Sequence, residues 1–237
     1  MASLTDRGVL HALGAGPGDP ELLTLKAARV LSEVATVFVA ASSANDYSLA
    51  QTIVAAHLRP GVPVMRLDFP MTRDKARLQA AWQTGARAVL EALADGRDAA
   101  FVTLGDPLTY STFLYLWRTL QAMEPDLRVS IVPGVSSIQA SAAAAGFSLA
   151  ESGQNLAVLS GVDDPDRLRQ ALTACDAAVI LKAYRSFPAL RELLTSMGLA
   201  DRAVLVSRVG LPGQEIVRGL AQATQRPPYF SLILVRK

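Results

Sequence analysis

Apolar and polar positions along the chain follow two periods, one typical of strands and one typical of helices. In the first half, short runs rich in Val, Ala, Leu and Phe predict strands, and an amphipathic stretch follows each run. The longest stretch places Leu78, Trp82 and Leu93 on one helical face. The predicted strands are 9–13, 34–41, 63–67 and 99–104, and the predicted helices are 20–31, 48–58, 72–94 and 109–123. This alternation predicts a mainly parallel sheet with helices on both faces.

The second half alternates in the same way but ends on strands that no helix separates. The break at Glu124-Pro125-Asp126 suits a boundary, because proline cannot continue a helix. We therefore predict two α/β domains, an N-terminal one over 1–123 and a C-terminal one over 124–237. The second domain is predicted to contain strands 128–132, 156–160, 177–181, 203–206, 215–218 and 230–235 and helices 135–145, 165–173 and 188–197. The closing strands predict a mixed sheet.

Composition narrows the class of protein. The chain is 51% hydrophobic and 19% charged, which suits a packed core and argues against disorder. Its net charge of +2 argues against a nucleic-acid partner. Cys175 is the single cysteine, so we expect no internal disulfide and no metal cluster. Neither a membrane span nor a signal peptide is visible in the sequence, so we expect no membrane partner and a cytoplasmic location.

A glycine-rich loop follows the first predicted strand, with the sequence G-A-G-P-G-D-P over 14–20. Glycines at this place let the backbone turn tightly and approach a ligand. The loop departs from the dinucleotide fingerprint, because Asp19 stands where the last glycine belongs and Pro17 lacks an N–H group. The pattern favours an uncharged or cationic ligand over a phosphate. A plain strand-to-helix turn, with Asp19 as the cap of a helix beginning at Pro20, is the alternative.

Two further loops stand at strand ends. The segment T-L-G-D-P-L-T-Y-S-T covers 103–112, and V-P-G-V-S-S covers 132–137. Loops at the carboxyl ends of parallel strands are where open α/β sheets bind ligands. Asp106 has the chemistry to bind hydroxyls or orient a cation, whereas Ser111 and Thr112 are also ordinary helix caps.

The glycine-rich loop, the T-L-G-D-P loop and the P-G-V-S-S loop occur in the same order in the tetrapyrrole (class III) S-adenosylmethionine methyltransferases. The chain resembles that family over nearly its whole length. Within that family, F-P-M-T-R-D at 69–74, T-L-G-D-P at 103–107 and Y-F-S-L at 229–232 resemble the members that methylate precorrin-2 or cobalt-factor II at C-20 in cobalamin biosynthesis. The resemblance implies a homodimer in which S-adenosylmethionine lies in a cleft between two α/β domains. Uroporphyrinogen methyltransferases carry G-G-D-P at the second loop, where this chain has Leu104.

The same resemblance implies which residues contact the cofactor. These are Gly16, Pro17, Leu104, Gly105, Asp106, Thr109, Ser111, Thr112, Ser136, Ser137, Lys182, Ala183, Tyr184, Arg208, Val209 and Gly210. The small-molecule substrate would be a reduced tetrapyrrole with many carboxylates, so arginine forks should bind it. Arg73, Arg77 and Arg185 lie on or beside the matching motifs.

The expected reaction transfers a methyl group to a meso carbon. Because the donor is reactive and the acceptor is a carbon nucleophile, orientation and water exclusion are the main tasks of the protein. Tyr110 is the candidate catalytic group near the reacting carbon.

Three other interpretations stay open. A sibling enzyme would methylate another corrin position, uroporphyrinogen, the diphthamide precursor or ribosomal RNA. A nucleotide-binding oxidoreductase would use the glycine-rich loop, although Pro17 and Asp19 count against it. A non-catalytic interaction module would leave the clustered strand-end loops without a purpose.

Overall fold

The computed structural model describes residues 7–41, 48–160, 164–221, 223 and 225–237. These residues form two compact units, which divide between Ser136 and Ser137. Residues 1–6, part of the segment behind the location prediction, lie outside the described ranges. Within those ranges no helix is both long and apolar enough to cross a membrane.

The first unit contains a five-stranded sheet in which every described pairing is parallel. Its elements are β1 (Leu10–Gly14), α1 (Leu25–Glu33), β2 (Thr36–Ala41), α2 (Leu49–Val54), β3 (Val64–Asp68), α3 (Lys75–Ala92), β4 (Ala99–Thr103), α4 (Phe113–Met123) and β5 (Val129–Val132). The strand order is β3-β2-β4-β1-β5. The predicted parallel sheet is confirmed.

Helices cover both faces of this sheet, as the continuous apolar strands require. Leu13 of β1 packs in the cluster shared with α1 and α2, whereas Leu10 and Ala12 pack in the cluster shared with α3 and α4. β4 is buried at all five positions, in keeping with its central place. The chemistry-bearing loops therefore leave a rigid, doubly covered sheet.

Two helices begin at least four residues later than the sequence predicted, while α2, α3 and the helix over Ser137–Ala145 begin one to three residues later. Pro20–Leu22 is a 3-10 turn capped by Asp19, and α1 starts only after Thr24, whose hydroxyl accepts from Ala27 N at 3.2 Å. The second cap interrupts the predicted continuous helix over 20–31. Likewise α4 begins at Phe113, because the backbone of Tyr110 is left-handed, with φ of 53°, and cannot belong to a right-handed helix.

The boundary between the units also lies later than predicted. The strand expected to open the second domain is β5, and it pairs in parallel with β1 through Leu10↔Val129 to Leu13↔Val132. Edge pairing with a distant strand is not visible in local sequence, whereas the proline break at 125 is. The first unit thus keeps β5 and extends to Ser136.

The second unit contains a mixed five-stranded sheet in the order β6-β7-β10-β8-β9, which confirms the prediction. Its elements are α5 (Ser137–Ala145), β6 (Leu156–Ser160), α6 (Pro165–Ala174), β7 (Ala177–Leu181), α7 (Phe187–Ser196), β8 (Ala203–Ser207), β9 (Glu215–Arg218) and β10 (Ser231–Arg236). β6 and β7 are parallel, and β10 is antiparallel to β7 and β8. One face packs on α6 and α7, and the other packs on α5.

Candidate active site

Three strand-end loops meet at one edge of the first sheet. β1 lies between β4 and β5, and the registers place Gly14 beside Thr103 and Leu13 beside Val132. Because the three strands are parallel, their carboxyl ends lie at the same edge. The glycine-rich loop, the Gly-Asp-Pro loop and the loop containing Gly134 are therefore neighbours in this unit.

Glycines allow these loops to touch backbone to backbone. A Cβ on Gly14 would lie 2.5 Å from the carbonyl oxygen of Gly105 and 2.6 Å from both Cα and N of Gly134. Gly16 and Gly105, with φ of 79° and 64°, exchange two backbone hydrogen bonds of 3.4 and 2.7 Å. Their N–H groups therefore bond each other's carbonyl oxygens.

The carboxylate of Asp106 connects the second loop to the third. Its Oδ1 accepts from Leu108 N at 2.9 Å and from the Thr109 hydroxyl at 3.3 Å, and its Oδ2 accepts from Gly134 N at 3.1 Å. Asp106 is partly buried, so these three bonds hold the loop in shape as well as placing negative charge at this edge. Asp106 therefore has a structural role in holding its loop, and its role as a ligand contact stays a prediction.

The start of α4 depends on Ser111. Its hydroxyl accepts from Phe113 N at 3.1 Å and lies 3.0 Å from the hydroxyl of Thr103. The Ser111 side chain is buried, and the side chain of Thr112 makes no capping bond to this helix. Ser111 is thus the residue that caps α4. A helix cap was one of its two predicted roles, and a cofactor contact was the other.

Pro17 and Leu104 are placed by packing. Pro17 is buried with its neighbour Gly16, and the partly buried Leu104 packs on the cluster shared with α1 and α2. The Leu104 side chain, which stands where uroporphyrinogen methyltransferases carry a glycine, therefore packs at least partly into the core.

Two predicted segments of the second unit also meet at one edge of its sheet. Leu181 ends β7 beside Leu232, and Ser207 ends β8 beside Ser231. The Lys182–Tyr184 and Arg208–Gly210 segments therefore flank the start of β10. The backbone N of Arg208 donates to Phe230 O at 2.7 Å and fastens one segment to that strand.

Aromatic rings and arginines gather at this second edge. The Tyr184 and Tyr229 ring centroids are 5.1 Å apart, and Arg185 Nε donates to the Tyr184 hydroxyl at 3.0 Å. Arg226 Nε donates to the Tyr184 carbonyl oxygen at 2.8 Å. Ala183 is fully buried in the core of this unit, so its contact to a ligand stays a prediction.

The remaining predicted contacts lie near these loops in their own units. Gly105 and Ser136 are close, since a Cβ on Gly105 would lie 3.9 Å from Ser136 Cα. Ser137 is the first residue of α5. Val209 packs on the cluster shared with α5, and Gly210 N donates to the Gln214 side chain at 2.8 Å.

Backbone strain coincides with the predicted site. Among the described residues, the only non-glycine positions with positive φ are Tyr110, Lys182 and Arg208, at 53°, 58° and 54°. All three were assigned a function from the sequence. Such conformations cost about 1–3 kcal/mol each and cluster at functional sites.

The predicted substrate arginines occupy three different places. Arg73 lies in the exposed segment after β3, Arg77 lies on the first turn of α3, and Arg185 lies in the aromatic group of the second unit. All three are exposed.

The shifted pKa values belong to groups away from these loops. The guanidinium of Arg97 bonds the Asp95 carboxylate and holds its pKa below the usual value, and burial raises the pKa of the Cys175 thiol. Both residues precede strands, at the opposite edges of the two sheets from the candidate loops.

Sequence reasoning missed several residues of this region. Gly134 was part of a quoted motif, but its contacts to Gly14 and Gly105 depend on β5 joining the first sheet. Tyr115 stacks on Trp82 with ring centroids 4.8 Å apart, and the local pattern marked that tryptophan only as core. Their pairing between α3 and α4 has no signal in local sequence.

Comparison with known proteins finds relatives along most of the chain. Residues 9–224 match the family described as Tetrapyrrole (Corrin/Porphyrin) Methylases. The chain is 38% identical over 232 residues to the cobalt-precorrin-2 C(20)-methyltransferase of Salmonella typhimurium, covering 97% of each protein. It is 33% identical over 236 residues to the precorrin-2 C(20)-methyltransferase of a Sinorhizobium species, covering 96% of this chain and 95% of that protein.

The fold of the chain is also similar to that of a solved structure. The uroporphyrin-III C-methyltransferase of Thermus thermophilus, in complex with S-adenosylhomocysteine, matches with a TM-score of 0.67 and 25% identity. The match covers 96% of this chain and 97% of that one. Because the family match spans most of the chain and the relatives align along their whole length, the chain belongs to the tetrapyrrole methylases.

Proposed function

We propose that this protein transfers a methyl group from S-adenosylmethionine to C-20 of precorrin-2 or cobalt-factor II in cobalamin biosynthesis. The observation that carries the proposal is the full-length similarity to the Salmonella and Sinorhizobium C(20)-methyltransferases. The strand-end loops supply independent support, since they gather the predicted cofactor residues of the first unit at one sheet edge.

The chemistry of the first-unit loops suits a sulfonium better than a phosphate. A phosphate cradle needs several free N–H groups, but those of Gly16 and Gly105 donate to each other's carbonyl oxygens and Pro17 has none. The Asp106 carboxylate adds negative charge at the same place. These features favour a cationic ligand with hydroxyls and argue against the oxidoreductase alternative.

The proposed cofactor contacts come from both units. In the first they are Gly16, Pro17, Leu104, Gly105, Asp106, Thr109, Ser111, Thr112 and Ser136, and in the second Ser137, Lys182, Ala183, Tyr184, Arg208, Val209 and Gly210. Ser111 and Ala183 are buried, so for these two residues the proposal rests on the family resemblance alone. Asp106 keeps its loop in place while its remaining acceptor capacity faces the ligand.

S-adenosylmethionine, when bound, supplies an electrophilic methyl group on a sulfonium. The chain's own residues then have to orient the donor and acceptor and exclude water, which is where most of the rate gain arises in such a transfer. The meso carbon would give the electron pair of the new C–C bond, the donor's sulfur would keep the pair of the broken S–C bond, and the carbon would then lose its proton. Tyr110 is our candidate to accept or relay that proton, since its strained backbone holds a side chain that is 54% exposed.

We assign Arg73 and Arg185 to the substrate's carboxylates, because both are exposed and the guanidinium group pairs with carboxylates through two hydrogen bonds. Charge reversal at Arg73 should raise the KM for the tetrapyrrole and leave the affinity for S-adenosylhomocysteine unchanged. Arg77, predicted for the same role, lies on the first turn of α3.

The decisive experiment incubates the purified protein with S-adenosylmethionine and either precorrin-2 or cobalt-factor II, followed by mass spectrometry and NMR of the product. A product heavier by one methyl group at C-20 supports the proposal, and the better acceptor distinguishes the oxygen-dependent from the anaerobic route. Methylation at another ring position, or only of uroporphyrinogen, would contradict it.

A thermal-shift comparison tests the cofactor separately. A ligand that binds only the folded protein raises the melting temperature, so S-adenosylhomocysteine should stabilise the protein whereas NADP should not. Tyr110→Phe, which keeps the ring and removes the hydroxyl, should lower kcat and leave S-adenosylhomocysteine affinity unchanged. The homodimer implied by the resemblance and the cytoplasmic location expected from the sequence belong to this proposal as well, and light scattering of the purified protein tests the first of them.

A further inference from the structure

The N-terminal part of α3 extends beyond the strand on which the helix packs. A Cβ on Gly85 would lie 3.5 Å from the Leu67 side chain, and β3 ends one residue after Leu67, at Asp68. α3 connects two parallel strands and therefore runs back against them. Lys75, the first residue of α3, precedes Gly85 by about 15 Å along the helix. It therefore lies on the side of the sheet where the candidate loops leave it.

Helical spacing decides which side chains of this extension face those loops. Ala86, Val89 and Leu93 face the sheet core, and Trp82 continues the same stripe toward α4. At 3.6 residues per turn, Lys75 lies about 20° from Trp82 around the helix axis, whereas Arg77 lies about 140° away. Lys75 thus continues the inward-facing stripe and Arg77 belongs to the outer face.

An aromatic surface lies next to this stripe. The Trp82 and Tyr115 rings are nearly parallel, at 10°, with centroids 4.8 Å apart. Tyr115 lies in the first turn of α4, and its side chain is 46% exposed. The exposed Leu108 and Tyr110 belong to the loop that leads into this helix. An exposed aromatic ring therefore lies at the start of the helix that follows the loop with several proposed cofactor contacts, and Lys75 precedes Trp82 by about 10 Å along the inward-facing stripe of α3.

We infer that Lys75 and Tyr115 form a specificity-determining subsite for the substrate, with Lys75 pairing with a peripheral carboxylate and Tyr115 packing against the macrocycle. This inference rests on the proposed function. The occupant follows from complementarity, because a conjugated ring edged with carboxylates matches aromatic side chains beside a cation. The only acidic group on the adjoining turn, Asp74, caps the helix by accepting from Ala76 N and Arg77 N, at 2.9 and 3.2 Å.

Charge reversal at two positions of the same helix provides the test. Lys75→Glu should raise the KM for precorrin-2 roughly tenfold, through one lost ion pair and one new repulsion. Lys75→Arg should restore most of the loss. The matched control Arg87→Glu makes the same charge change at an exposed position of α3, about 120° around the helix axis from Lys75, and should alter KM less than about twofold. Affinity for S-adenosylhomocysteine, measured by calorimetry, should be the same in all variants.

Tyr115 is tested with a matched pair of substitutions. Tyr115→Phe keeps the stacked ring and should behave as the wild type, whereas Tyr115→Ala should raise KM roughly fivefold, the loss expected for one aromatic contact. Light scattering of Tyr115→Ala should show an unchanged molecular mass. A change of mass would mean that a second copy of the chain covers this surface, and it would overturn the inference.

A binding assay separates this inference from the proposed function. Fluorescence titration with uroporphyrin, a stable carboxylated macrocycle, requires no turnover. If the wild type binds it and Lys75→Glu weakens binding while Arg87→Glu does not, the subsite stands even if no methylated product forms. If Lys75→Glu and Arg87→Glu have equal effects on binding and KM, or neither has any, the subsite is refuted even if the wild type methylates precorrin-2.

Discussion

Three backbone segments meet at Gly14. Adding a methyl group there should therefore lower both the stability of the protein and its affinity for S-adenosylhomocysteine. In Gly14→Ala the new Cβ would lie 2.5 Å from the Gly105 oxygen and 2.6 Å from the Gly134 backbone, distances that real Cβ atoms do not adopt. All of these neighbouring atoms belong to the main chain, so no side-chain rotation relieves the clash. The loops after β1, β4 and β5 would have to separate.

The size of the effect follows from the rigidity of the site. Overpacking of a core costs about 1–3 kcal/mol, and we expect the upper end, about 3 kcal/mol, because no flexible group can move aside. For a protein of this length, that corresponds to a melting temperature lower by about 6–12 °C. Affinity for S-adenosylhomocysteine should fall as well, because Gly16 and Gly105 belong to the separated loops.

The assay combines thermal unfolding, followed by circular dichroism, with calorimetric titration of S-adenosylhomocysteine. Gly85→Ala is the matched control, since its Cβ would meet the flexible Leu67 side chain at an ordinary 3.5 Å. It should be neutral or slightly stabilising, because alanine favours a helix interior by about 0.5–1 kcal/mol. A Gly14→Ala protein with the melting temperature and ligand affinity of the wild type would refute the backbone-contact reasoning.

Three further predictions concern single polar or sulfur groups. Asp106→Asn replaces an acceptor with an NH₂ group, so Gly134 N should lose its partner. The free energy of unfolding, measured in urea, should fall by about 1–3 kcal/mol. An unchanged midpoint would contradict the connecting role of Asp106. Ser111→Ala removes the cap of α4 and should cost about 1–2 kcal/mol by the same measurement, and Thr112→Ala, whose side chain makes no capping bond, should cost clearly less. Cys175 is buried and its pKa is raised, so a thiol reagent at neutral pH should label it far more slowly in the folded protein than in urea, and equal rates would show that it is accessible.

Local sequence was sufficient for the elements and for the loops that carry the chemistry. Short apolar runs alternating with amphipathic stretches predicted the order of strands and helices, since burial on two faces imposes a composition that is visible residue by residue. The glycines and Asp106 were found because tight strand-end turns need particular residue types. Resemblance in those motifs then indicated the family and the C-20 reaction proposed here.

What required the tertiary structure was every relation between residues distant in sequence. β5 joins the first sheet through pairing with β1, and this placement brings Gly134 to Gly14 and to the Asp106 carboxylate. The left-handed backbone of Tyr110 delays α4 although its local sequence allows an earlier start. The packing of α3 on the sheet fixes which face of that helix is inward, and helical spacing then places Lys75 on the inward stripe and Arg77 on the outer face. Sequence patterns indicate which residues are buried and where the chain turns, because these depend on local residue types. Strand pairing and helix packing determine which distant residues each one contacts.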